Sequence, residues 1–238
     1  YLSANLEDDS TLDGHLLPGL DPKGVPQNLE GTMLPFNYNK IEELEAIVAN
    51  HDIGTIKMEV SRNVEPKEGF LEGVRNIATD NNIVLIFDEC TSGFRETFGG
   101  LHKKYGVDPD MAVFSKALGN GYAISAVIGI QEVMEATQST FISSTFWTER
   151  IGPTAALKTL EVMEREKSWE QITEVGKRIG KRWEILAEKY KLPIKIGGLP
   201  ALVNFNIPVE NWLKYKTFIT QEMLKKGYLA TNSVYVCT

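Results

Sequence analysis

The chain has 238 residues, 42% hydrophobic and 24% charged. That composition excludes disordered and fibrous classes and allows a sizeable core in one or two domains of about 150 residues each. Lys and Arg number 25 against 32 Asp and Glu, and the resulting charge of −7 predicts no general nucleic-acid binding. No apolar run reaches the roughly 18 residues of a membrane span. The two cysteines, Cys90 and Cys237, are far apart, which argues against a disulfide framework and for a reducing, cytoplasmic interior.

The chain opens Tyr1-Leu2-Ser3-Ala4, with no Met and no signal-peptide pattern, and stops at Cys237-Thr238 just after an apolar stretch. Both ends read as cuts through a longer protein. Residues 1–38 are rich in Asp, Gly, Pro and Asn, and Pro18 to Gly24 reads as loop. Asn39 is a candidate cap for a helix whose stripe is Ile41, Leu44, Ile47 and Val48, with Glu42 and Glu43 in its first turn. Gly54 to Val60 reads as a strand. Lys67 to Asn81 reads as a helix with Phe70, Leu71, Val74, Ile77 and Ala78 on one face. Ile83 to Phe87 is an unbroken apolar run, which predicts a strand buried on both faces of a parallel sheet. Strands follow at Met111 to Phe114 and Ile124 to Ile130, then helices over 150–165 and 168–190. Beyond Leu192 come Gly197-Gly198, a strand at Ala201 to Ile207, a helix near 212–226 and a strand after Gly227. Alternating strands and helices over roughly 40–130 predict an α/β fold with a mostly parallel sheet, and the section after about 165 reads as a smaller α+β unit.

Two positions carry chemistry. Asp88-Glu89 closes the apolar strand, and ligands of open α/β sheets gather at the carboxyl ends of strands. A carboxylate there can hold a cation, a metal or a protonated ring nitrogen, or simply begin a loop. Lys116 follows the next strand in Phe114-Ser-Lys-Ala-Leu-Gly-Asn-Gly-Tyr122. Its apolar neighbours predict a partly buried ammonium, which suits Schiff-base chemistry, and the alternative is a surface lysine. Together the two residue types are those pyridoxal phosphate needs. A lysine forms the Schiff base, and an acid keeps the pyridine nitrogen protonated so that the ring takes up electrons.

With these motifs the sequence resembles the class III aminotransferases, fold type I of the pyridoxal-phosphate enzymes, and within them the glutamate-1-semialdehyde aminomutase-like branch. The resemblance rests on Ile86-Phe-Asp-Glu-Cys-Thr-Ser-Gly-Phe-Arg95, Tyr105-Gly-Val-Asp-Pro-Asp110, Phe114 to Tyr122 and Ile124-Ser-Ala-Val-Ile-Gly129. It implies a large cofactor-binding domain over 1–165, lacking its N-terminal part, and a truncated small domain over 166–238. The cofactor would be pyridoxal 5'-phosphate, with Lys116 as the Schiff-base lysine and Asp88 as the partner of the ring nitrogen.

Cys90 stands where the family usually has a Val packed on the ring, and a small thiol can pack there too. Glu59 resembles the Glu of a Glu-Pro pair, with Val60 in place of the Pro, and Asn63 resembles the Asn after that turn. Thr145 resembles a threonine that reaches the cofactor phosphate of a neighbouring subunit, which implies a homodimer with a shared site. The family's Gly-Asn-Pro after it is replaced by Trp147-Thr-Glu-Arg150.

The implied activity is transfer of an amino group between a small-molecule donor and a keto or aldehyde acceptor. An alternative is an aminomutase that moves the group within one amino-aldehyde. From another class, Ile83 to Glu89 matches the strand-plus-acid form of a nucleotide-hydrolysing site, but no phosphate loop accompanies it. Arg95 could bind a carboxylate bidentately, and a salt bridge to Asp or Glu is the expected role. His15, His51 and His102 read as surface or loop residues, and Glu7-Asp8-Asp9 as a solvated charge run.

Overall fold

The computed structural model describes residues 24 and 26–238. The acidic run Glu7-Asp8-Asp9, His15 and most of the 18–24 loop lie outside the described residues. Helix α1 (Ile41–Asn50) leads to strand β1 (Thr55–Met58), helix α2 (Phe70–Asp80) and strand β2 (Val84–Asp88). A long loop carries the short helix α3 (His102–Tyr105) to β3 (Met111–Phe114), and β4 (Ala126–Gly129) follows. Strands β1, β2 and β3 are parallel neighbours, and β4 runs antiparallel to β3. The mostly parallel α/β sheet expected from the sequence is therefore present.

Its elements are shorter than the sequence pattern suggests. Gly69 has a φ of 77°, a left-handed turn, so α2 starts at Phe70 rather than at Lys67. Asn39 is not the cap of α1, which begins after Lys40 with no side-chain cap. Asn39 itself has a φ of 65°, a region that a short polar side chain tolerates. Its amide donates to the Glu65 carbonyl at 3.0 Å and its oxygen accepts the Lys67 N–H at 2.8 Å. The residue thus pins the loop before α2 instead of its own helix.

Phe70, Leu71, Val74 and Ala78 of α2 pack on Ile56 of β1 and on Leu85 and Phe87 of β2, with Leu44 of α1 behind them. Each such large side chain contributes about 1.5–3 kcal/mol when fully buried. Leu85 and Phe87 have no exposed surface, while Val84, Ile86 and Asp88 between them are half-buried. The apolar run predicts burial on both faces, and only one is fully buried among the described residues. A second cluster joins Phe94, Ala112, Phe114 and Leu118 to Ala156.

After β4 come α4 (Gln131–Met134), α5 (Ile151–Glu166) and α6 (Ser168–Tyr190), then β5 (Lys195–Gly197), β6 (Asn204–Asn206) and α7 (Trp212–Lys225). The strand expected from Ala201 begins instead as a 3-10 turn at Pro200–Leu202, and α6 packs closely on this turn. A Cβ on Gly176 would lie 1.8 Å from the Pro200 carbonyl oxygen, so only glycine fits there. Leu199 and Leu202 enter the main core. The stretch after Gly227 forms no regular strand. It makes one bridge, Asn204 to Ser233, and donates from Val234 to Val203 and from Val236 to Ala201, each at 2.9 Å. Among the described residues no helix is long and apolar enough to cross a membrane.

Candidate active site

The parallel pairing of β2 with β3 places Asp88 opposite Val113. Asp88 and the Ser115-Lys116 turn therefore leave the sheet at the same edge, at the carboxyl ends of neighbouring strands. Asp88 Oδ2 accepts the Lys57 ammonium at 2.7 Å and Oδ1 accepts the Cys90 N–H at 3.1 Å. Burial pushes the Asp88 carboxyl up, but the hydrogen bonds from Lys57 and Cys90 outweigh it and hold the group below its ordinary value. Asp88 is thus an anion at neutral pH.

Lys116 has a φ of 48° and opens the 3-10 turn Lys116–Leu118. Its Nζ donates to Thr91 Oγ1 at 2.6 Å. Phe114 and Leu118 turn inward to the core while Lys116 is exposed, so the partly buried ammonium expected from its neighbours is not found. The turn beyond it is tight. A Cβ on Gly119 would lie 2.2 Å from the Tyr122 carbonyl oxygen, and Gly121 has a φ of +96°.

Glu59, just past β1, belongs to the same charged group. Burial pushes its carboxyl up; Arg62, 3.7 Å away, pulls it down, Asp88 pushes it up again, and Lys116 and Lys57 oppose the rise. Cys90 is half-buried, and burial and then the Asp88 carboxylate push its thiol up, so it stays protonated. Asn63 is exposed in the loop after β1. Thr145 lies in an exposed turn and is not brought to Asp88 or Lys116 within this chain.

Arg95 departs from expectation. Among the described residues it forms no ion pair; its Nε donates to the Thr91 carbonyl at 3.4 Å. Burial pushes its guanidinium down, partly opposed by Tyr235. An open cavity of about 540 Å³ is lined by Arg95, Lys116, Asn120, Tyr122, Ile124 and Ser168 among others. Asp88 is not part of that wall, so the cavity lies beside Lys116 rather than between the two strand ends.

Sequence reasoning missed three features. Lys57 was visible as the polar residue between Ile56 and Met58, but its partner depends on strand register. Thr91 receives Lys116 on its hydroxyl and Arg95 on its carbonyl. Glu89, with no exposed surface, accepts the His102 N–H at 3.0 Å, faces His102 Nδ1 at 2.9 Å and accepts the Ser92 hydroxyl. His102 is therefore a half-buried structural partner rather than a surface residue. Burial pushes the Glu89 carboxyl up, and the His102 and Ser92 hydrogen bonds bring it below its ordinary value. A carboxylate so enclosed is not turned toward a bound nucleotide, as the nucleotide-hydrolysing reading requires.

A lysine and an ionised aspartate thus stand at adjacent strand ends of a mostly parallel sheet, the two residue types that Schiff-base chemistry on a pyridine cofactor calls for. The profile of the family "Aminotransferase class-III" matches residues 39–235, and the chain belongs to that family. It is 36% identical over 208 residues to a 3-aminobutyryl-CoA aminotransferase of Cloacimonas acidaminovorans, covering 84% of this chain and 48% of that protein. It is 32% identical over 204 residues to a glutamate-1-semialdehyde 2,1-aminomutase of Geotalea daltonii, covering 81% and 48%. An omega-transaminase from Sphaerobacter thermophilus superposes with a TM-score of 0.81 at 20% identity, over 90% of this chain and 54% of that one. The chain thus spans about half the length of the curated relatives it matches, and the likeness to the solved structure establishes the shared fold.

Proposed function

We propose that this protein is a pyridoxal-phosphate-dependent aminotransferase that moves an amino group from a small-molecule donor to a keto or aldehyde acceptor. The observation that carries this reading is the placement of ionised Asp88 and of Lys116 at the ends of adjacent parallel strands. The donor set fits the cofactor. Lys116 has a hydroxyl, not a carboxylate, as its hydrogen-bond partner, so its amine is not neutralised by a counter-ion. Asp88 is an anion with acceptor capacity left over, since a carboxylate offers about four lone-pair sites.

Lys116 and Asp88 would hold the cofactor, with Cys90 packing beside the ring and Glu59 at the edge. Thr145, exposed on this chain, would reach the phosphate bound by a second copy, and the homodimer is part of the proposal. When bound, pyridoxal phosphate supplies an aldehyde for Schiff-base formation and a ring that takes up an electron pair. Asp88 would hold the proton on the ring nitrogen. Thr91 Oγ1 orients Lys116 Nζ. Lys116 Nζ would act as the proton carrier of the site, taking the proton from the nitrogen-bearing substrate carbon as base and giving it back as acid.

The division into a large domain over 1–165 and a small one over 166–238 is supported by the separate β5–β6 sheet and by the left-handed Lys167, φ 50°, between α5 and α6. We place the protein in the cytoplasm on its two free cysteines.

The aminomutase reading keeps the same residues and draws on the 32% identity to an aminomutase. One experiment separates the two. With an amino donor alone, an aminotransferase bleaches the Schiff-base absorbance, releases a carbonyl product and recovers its colour when a keto acceptor is added. Isomerisation of an amino-aldehyde with no carbonyl product released establishes the aminomutase instead. No spectral change with any amine contradicts both.

A further inference from the structure

Strand β1 alternates, with Ile56 and Met58 buried and Lys57 on the opposite face. Lys57 pairs with Ile86 of β2 in the parallel register. Asp88 lies two residues beyond Ile86 and so emerges on the same face of the sheet. Lys57 and Asp88 are therefore diagonal neighbours across two strands, and their side chains meet at 2.7 Å. Lys57 is exposed on the edge strand among the described residues, where a lysine is at home without any partner, and its ammonium is nonetheless turned onto Asp88. The salt bridge falls on the carboxylate that the aminotransferase reading assigns to the ring nitrogen.

We propose that Lys57 is a positioning and charge-tuning residue for the cofactor: its ammonium shares the Asp88 carboxylate with the ring nitrogen and sets how tightly that nitrogen holds its proton. The inference rests on the aminotransferase reading and adds a residue to it. Lys57 holds one oxygen of the Asp88 carboxylate and the Cys90 N–H the other, and the Cys90 thiol, pushed up by burial and by Asp88, donates to it as well. A carboxylate offers about four lone-pair sites, so a further donor still fits, but one negative charge then faces two positive ones. It holds each less firmly than it would hold either alone.

The other charges facing the site do not cancel Lys57. Lys116 and Arg62 add positive charge, and Glu59 is the remaining acid. Burial raises the Glu59 carboxyl, and Arg62 already engages it at 3.7 Å. Lys57 is 56% exposed on its side chain, so its field is screened by salt.

The test uses the holoenzyme loaded with pyridoxal phosphate labelled with ¹⁵N in the ring. The chemical shift of that nitrogen is followed against pH in the wild type, Lys57→Met and Lys57→Arg. Lys57→Met keeps the aliphatic stem and removes the charge; Lys57→Arg keeps the charge and serves as the rescue. The ring nitrogen of Lys57→Met is expected to lose its proton about one pH unit higher than in the wild type. That difference should shrink at about 1 M salt, where the screening length is about 3 Å. Lys57→Arg should titrate with the wild type. Coincident titrations of Lys57→Met and the wild type, or a Lys57→Arg that follows Lys57→Met, overturn the proposal while leaving the aminotransferase reading in place. A wild-type protein that takes up no cofactor overturns that reading and this inference together.

Discussion

Glu89 Oε1 lies 2.9 Å from His102 Nδ1 and 3.0 Å from the His102 backbone nitrogen. The contact ties the loop that follows β2 to the start of α3. Glu89 sits between Asp88 and Thr91, so this buried anchor fixes both the carboxylate that Lys57 engages and the hydroxyl that accepts from Lys116. Removing the carboxylate should therefore loosen the site as well as the fold. Glu89→Leu leaves His102 and Ser92 without their acceptor and is expected to cost about 3–5 kcal/mol. Glu89→Gln keeps the shape and should cost about 1.5–3 kcal/mol. Urea unfolding at neutral pH measures both, and an unchanged midpoint in Glu89→Leu contradicts the anchoring role.

The same residue gives a pH signature. Its folded-state carboxyl sits below the ordinary value of 4.5, so the unfolded chain binds the proton first as pH falls. The Glu89 contribution is full above the ordinary carboxylate range and is lost as pH drops through the folded value. Glu89→Gln should flatten the acid limb of stability against pH. An acid limb as steep as in the wild type would assign the acid sensitivity to other carboxylates.

Asp88→Asn keeps the shape of the side chain and cannot hold a ring nitrogen protonated as a carboxylate does. The protein should still take up the cofactor, while turnover falls by orders of magnitude. Steady-state kinetics beside a cofactor titration separates the two effects. Undiminished turnover would mean that another group holds the ring.

Two apolar surfaces bear on the proposed homodimer. On and just after β4, Val127, Ile128 and Ile130 are 47%, 56% and 44% exposed, and in the loop after α4 Phe141, Phe146 and Trp147 are 93%, 72% and 66% exposed. Exposed apolar surface and an open strand edge both favour association. Light scattering should report more than one copy per particle, and Ile128→Lys with Trp147→Glu should shift the protein toward the monomer. A monomer at every concentration contradicts the shared site assigned to Thr145.

The parts legible in the sequence were those set by local pattern. The Ile83 to Phe87 run and the 3.6-residue stripe of Phe70, Leu71, Val74 and Ala78 specify β2 and α2 directly. Asp88 and Lys116 stood out because a carboxylate and a lysine each close an apolar strand. What escaped depends on partners far along the chain. Lys57 meets Asp88 only through the β1–β2 register, and Glu89 meets His102 only because the loop between them folds back. Asn39 has the composition of a helix cap, yet its left-handed backbone turns its amide toward Glu65 and Lys67. Arg95 was expected to find an acid, since burying a cation unpaired is costly, and it rests against the Thr91 carbonyl instead.

If the proposed function holds, Lys116 carries the cofactor. Borohydride reduces a Schiff base to a stable amine, so the yellow protein can be reduced, digested and mapped by mass spectrometry. A single pyridoxyl-modified peptide is expected, containing Lys116, and a Lys116→Ala protein should have no Schiff-base absorbance to reduce. A label on a different lysine, or a Lys116→Ala protein that retains the yellow form and full turnover, would contradict it.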